Sequence, residues 1–114
     1  MTEKTLFQKI AAGEIPGDFV HEDEFCFAIR DINPAAPVHV LIIPRKPIIS
    51  IATLDESDAS LIGHLFVVAK AIAIMEGLSN GYRLVFNTGS DGQQTVYHLH
   101  LHLLGGRKMT WPPG

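Results

Sequence analysis

Three histidines at alternate positions, His98, His100 and His102, lie in the segment VYHLHLHLL. An extended strand sends successive side chains to opposite faces, so this spacing predicts three imidazoles on one face and Tyr97, Leu99, Leu101 and Leu103 on the other. At about 3.3 Å of rise per residue, neighbouring histidines would stand roughly 6.6 Å apart along the backbone, close enough to surround one small anion such as phosphate. A neutral imidazole is a nucleophile near pH 7, while a protonated neighbour steadies phosphoryl oxygens or protonates a leaving group. A lone histidine is more often a satisfied core residue, and His21 and His64 are read that way.

Zinc is the rival chemistry, because H-x-H on a strand offers two nitrogens in a geometry the ion accepts. No Asp, Glu or Cys alternates with the three histidines, and no second-shell carboxylate lies nearby in sequence, so a site without metal or other cofactor is expected. The further imidazole, His39, shares a strand face with Leu41 and Ile43 and taken alone reads as a core histidine. The loop GSDGQQT runs straight into the histidine segment. Its glycines, Gly89 and Gly92, free the backbone to turn amides toward one oxyanion, and it ends in the hydroxyl of Thr95.

The surrounding elements must place these groups. Thr5 caps a short helix carrying Leu6, Phe7 and Ile10, with Gly13 and Pro16 as stop signals. FVHEDEFCFAIRDI reads as a hairpin turning at His21 to Glu24, with Phe25, Phe27 and Ile29 on one face. The loop NPAAP is fixed by Pro34 and Pro37, and VHVLIIP is a third strand. Thr53 and Glu56 form a capping-box pattern ahead of one long helix, in which Leu61, Leu65, Val68, Ile72 and Met75 recur until Gly77. YRLVFNT and VYHLHLHLL complete five strands, and Pro112 and Pro113 end regular structure. The implied architecture is α+β, an antiparallel sheet covered by the long helix.

The 114 residues, 46% hydrophobic and 18% charged, suit one domain with an apolar core. A net charge of −3 argues against a nucleic-acid partner, which demands a basic surface. With one cysteine, no internal disulfide is possible, and with no leader-like opening a cytoplasmic location is expected. His64, Lys70 and Glu76 interrupt the most apolar stretch, so no membrane span is expected.

The run His98 to Leu104 resembles the signature of the histidine-triad (HIT) family, and LFQKIAAGEIP, DINPAAPVHVLIIPRK, NTGSDGQQTVYHLHLHLLGG and WPPG extend the resemblance to the Hint branch over nearly the whole chain. The resemblance implies a single HIT domain over residues 1–114 with a tail at 105–114. It also implies a homodimer whose five-stranded sheets join, and a phosphoramidase that cleaves the P–N bond of purine nucleoside phosphoramidates. His100 would be the nucleophile forming a nucleotidyl-histidine intermediate, His102 would touch phosphate and leaving group, and His98 and His39 would support them. Thr95 would bond the bridging atom, and Asp31 would take the ribose hydroxyls. Phe7, Ile10, Ile29 and Ile32 would wall the base, with Arg30 beside them where relatives often carry histidine. Asn87 and the amides of Gln94 to Val96 would hold phosphate oxygens. Gln93 stands where a phosphate-loop glycine is usual, and Thr95 where serine is. Trp111 would shape the leaving-group pocket across the dimer interface. The alternative from another class is a purine nucleotide-binding adaptor with incidental hydrolysis.

Overall fold

The computed structural model describes residues 3–114. Helix α1 (Leu6–Ala11) precedes strands β1 (Phe19–Glu22), β2 (Cys26–Arg30) and β3 (Val38–Pro44). Helix α2 (Ala59–Met75) then leads to β4 (Tyr82–Val85) and β5 (Leu101–Gly105). The strands form one antiparallel sheet in the order β1-β2-β3-β5-β4, the expected α+β architecture.

Strand alternation divides the core in two. Cys26, Ala28, Val40, Ile42, Leu101 and Leu103 meet Leu65, Val68, Ala69, Ile72 and Ala73 of α2. The intervening Phe27, Ile29, Leu41 and Ile43 instead pack beneath Phe7 and Ile10 of α1 on the opposite face. Each large side chain removed from water in this way contributes about 1.5–3 kcal/mol. Helix α1 needs that anchorage, since six residues are too few to be helical alone. Thr5 caps it as expected, its hydroxyl accepting from the Gln8 amide while the Gln8 side chain returns to the Thr5 amide.

Four local expectations are corrected. Thr53 and Glu56 do not form a capping box; Ser50 pairs with Thr53 and Asp55 with Asp58 in two 3-10 turns, delaying α2 until Ala59. Phe25 does not share the face of Phe27 and Ile29, because it lies in the turn before β2 and is exposed. Tyr97 is exposed too, whereas Leu99, Leu101 and Leu103 are buried against α2 as expected. The segment Glu56–Met75 reaches a mean hydropathy of 1.6, long and apolar enough by those measures to cross a membrane, contrary to the reading of its charges as interruptions. One side of it is committed to the sheet, and Val67, Ile74 and Met75 remain exposed on the other.

The histidine strand is shorter than its sequence pattern. β5 starts at Leu101, so His102 alone of the three histidines lies within it. Continuing the β3–β5 register, in which Ile42 faces Leu101, would set Leu99 opposite Pro44, which has no N–H to give. The ladder stops there, and Leu99 donates instead to the Ile48 carbonyl at 2.7 Å.

Candidate active site

His102 on β5 and His39 on β3 point to the α1 side of the sheet, opposite the neighbours that pack on α2. His98 and His100 precede the strand but keep the same side, since both rings make edge contacts with Phe7, at centroid separations of 5.7 and 5.0 Å. The His100 and His102 rings lie 4.9 Å apart. The three-imidazole face is therefore formed, held by Phe7 as much as by strand pairing.

Hydrogen bonds assign the protons. His100 Nδ1 lies 2.7 Å from the His98 carbonyl and must donate to it, which leaves the Nε2 lone pair available. His39 Nδ1 accepts the Ala35 amide at 3.0 Å, so His39 Nε2 carries hydrogen and donates to His102 Nδ1 at 2.9 Å. In neutral His102 the proton consequently sits on Nε2. The result is a nucleophile with a free lone pair beside an imidazole with a free N–H, a pairing suited to displacement at phosphorus.

Burial holds these rings neutral. It pushes His100 below the usual imidazole range, opposed in part by the bond to the His98 carbonyl. His102 falls to about 4 through burial first and then repulsion from His100 and His39. Burial also lowers His39 and His98, with Asp31 opposing the shift at His39. Asp31 Oδ2 lies 3.5 Å from His39 Nε2, and the Asp31 amide donates to the His39 carbonyl. A carboxylate therefore stands behind the histidines although none lies near them in sequence, brought there by β2–β3 pairing.

The expected phosphate loop is internally braced. Gln93 takes a positive φ of 63°, adopting the left-handed backbone that a glycine would supply freely. Gly92 cannot carry a side chain, because a Cβ would come within 2.5 Å of the Thr88 carbonyl oxygen. The buried Gln94 side chain donates to the Ile49 and Val96 carbonyls and accepts the Gly89 amide. Its own amide donates to the Gly89 carbonyl, so Gln94 is a loop brace rather than a free anion donor, a correction to the expected role. The amides of Thr95 and Val96 have no protein acceptor among the described residues. Thr95 is exposed and Asn87 half-buried.

Of the expected base-wall residues, Phe7, Ile10 and Ile29 form the apolar cluster beside the histidines, and Ile32 is exposed just beyond β2. Arg30 is not brought to the histidines. Facing Val40 in the ladder, it turns to the α2 side and pairs with Glu76. Trp111 is also exposed, its ring beneath the Arg83 guanidinium at 5.9 Å. Sequence reasoning missed Thr5, seen there only as a helix cap. Its hydroxyl meets His98 Nδ1 at 2.6 Å, and no local pattern reveals a contact spanning 93 residues.

The HIT domain family model matches residues 12–109. The chain is similar to a HIT family hydrolase from Legionella pneumophila Philadelphia 1, whose crystal structure matches with TM-score 0.95 and 55% identity, covering 97% of this chain and 100% of that one. It is 52% identical to the 14 kDa zinc-binding protein of Zea mays, over 96% of this chain and 88% of that protein. The histidine triad nucleotide-binding protein from Candida albicans matches with TM-score 0.81 and 27% identity, over 97% and 85% of the two chains.

Proposed function

We infer, from the premise that this chain belongs to the HIT domain family, that it hydrolyses the P–N bond of purine nucleoside phosphoramidates and releases the nucleoside monophosphate. The observation that carries the reading is the His100 ring, whose Nδ1 is tied to the His98 carbonyl so that Nε2 keeps its lone pair in a buried, neutral imidazole.

His100 Nε2 attacks phosphorus, the P–N bond breaks as its nitrogen takes up a proton from solvent, and the neutral amine departs with His102 Nε2–H hydrogen-bonded to it. Water then cleaves the nucleotidyl-histidine and restores the ring. His39 keeps His102 in the tautomer that can donate. The free amides of Thr95 and Val96 suit phosphoryl oxygens, and the Thr95 hydroxyl suits the bridging atom. Phe7, Ile10, Ile29 and Ile32 offer apolar contact to a base, and Asp31 offers a carboxylate to ribose hydroxyls. The nucleotide ligand accords with the similarity to a nucleotide-binding protein, and the hydrolytic class with the similarity to a HIT family hydrolase.

The same reading includes a cytoplasmic homodimer. Exposed Val67, Ile74 and Met75 on α2, beside the open edge of β4, suit a symmetric interface that would carry Trp111 toward the partner's site. Zinc at the histidines is the second reading, favoured by the donor group Asp31, His39 and His102 and by the name of the Zea mays relative. Opposing it, both His39 nitrogens are already engaged, one by the Ala35 amide and one by His102.

The test is turnover of an adenosine 5'-phosphoramidate by the purified protein, with and without chelator. Release of nucleoside monophosphate that survives chelation and disappears in His100→Ala supports the reading. Loss on chelation with recovery on zinc alone would transfer the chemistry to a metal.

A further inference from the structure

On the sheet face opposite the triad, at the turn between β1 and β2, one carboxylate oxygen collects three side chains. His21 Nε2 and His64 Nε2 each lie 2.7 Å from Asp23 Oδ2, and Cys26 Sγ lies 3.5 Å from the same atom. The ligand atoms of His21, Asp23 and Cys26 all fall within 4.8 Å of one another. The residues come from three elements: His21 from β1, Cys26 from β2, and His64 from α2 across the layer. Cys26 is fully buried, while His21, Asp23 and His64 are partly open to solvent, which leaves an entry route.

We propose that His21, Asp23, Cys26 and His64 form a zinc site that fastens the β1–β2 turn to helix α2, separate from the triad. The donor set is two imidazoles, one thiolate and one carboxylate, a combination of four that zinc takes tetrahedrally, at about 2.0–2.2 Å to nitrogen or oxygen and about 2.3 Å to sulfur. A cation at the convergence point requires contraction and a short retreat of the carboxylate. The cluster is already aimed, because Asp23 Oδ1 accepts the amides of Phe25 and Cys26 at 2.7 and 2.8 Å, fixing the carboxylate plane as outer partners do in metal sites. Proton balance is straightforward. Each imidazole gives up its Nε2 proton and keeps hydrogen on Nδ1 alone, the Cys26 thiol releases its proton to solvent, and the ion takes the freed lone pairs.

Neither the triad nor the nucleotide reading uses these residues. Cys26 packs in the α2-side core cluster, whereas His39 and the triad lie on the α1 side, so the two sites can be tested independently.

The experiment titrates chelator-stripped full-length protein with zinc chloride against a chromophoric chelator and repeats the titration with cobalt(II). The proposal expects one equivalent bound, a thiolate-to-cobalt charge-transfer band, and a rise in Tm. Cys26→Ser should remove the band, and His21→Ala or His64→Ala should weaken binding at least tenfold, while His39→Gln and His102→Gln leave it unchanged. His21 and His64 are partly exposed, so their variants keep the test open if the buried Cys26→Ser misfolds. Absence of binding in the wild type overturns the proposal. Binding that survives in the His21 and His64 variants also overturns it, as does binding lost with His39→Gln or His102→Gln, which would place zinc at the triad.

Discussion

The Thr5 hydroxyl donates to His98 Nδ1 at 2.6 Å, while His98 Nε2–H donates to the Pro44 carbonyl at 2.8 Å. Thr5 Oγ1 simultaneously accepts the Gln8 amide, so its proton is committed to His98. The cap of α1 thereby fixes the ring of His98, whose carbonyl orients the His100 nucleophile.

Thr5→Val should lower kcat about tenfold with little change in KM, the effect of one lost positioning bond worth about 1.4 kcal/mol. It should also lower Tm, since losing a cap costs about 1 kcal/mol. Thr5→Ser should restore both. Steady-state kinetics well below Tm separate the roles: an unchanged kcat with reduced Tm would make Thr5 a cap only.

Acid should unfold the protein through its histidines before its carboxylates. His39, His98, His100 and His102 all have folded pKa values below the unfolded one, so the unfolded chain binds more protons and stability falls as pH drops. The loss begins near the unfolded imidazole value of about 6.5. For His102 it continues to about 4. Thermal melts should show Tm declining from pH 7 to pH 5, less steeply in His102→Gln. A flat Tm across that window would contradict the burial argument.

Much of the architecture was legible because alternation over Cys26–Ile29 and Val40–Ile43 is strict, and each face meets a different helix. The histidine face was legible for the same reason. The end of β5 was not, because it depends on Pro44 lying opposite Leu99, a register that no single segment encodes. Arg30 was misplaced for a related cause. Next to Asp31 in sequence, it alternates to the far face and finds Glu76. The His39–His102 and Thr5–His98 bonds join residues distant in sequence and follow from sheet order and helix docking.

Gln93→Gly should stabilise the protein by up to about 1 kcal/mol. A non-glycine residue in left-handed backbone costs about 1–2 kcal/mol, offset in part by glycine's greater unfolded freedom. Denaturant melts check this, and destabilisation would show that the Gln93 side chain contributes a contact of its own.

Deleting residues 108–114 should change leaving-group selectivity more than affinity for the nucleoside monophosphate. Arg83 donates to the Thr110 carbonyl and lies over Trp111, so β4 carries an exposed aromatic surface. Comparison of kcat/KM for alkyl and aromatic amine phosphoramidates decides it. An unchanged ratio with unchanged product affinity would remove the tail from selectivity.

The covalent role of His100 is tested most directly by mixing excess protein with an adenosine 5'-phosphoramidate, quenching in base to preserve the histidine–phosphorus bond, and locating the adduct by peptide mass spectrometry. The account predicts one nucleotidyl group on His100, absent in His100→Ala. An adduct on another residue, or full turnover by His100→Ala, would contradict it.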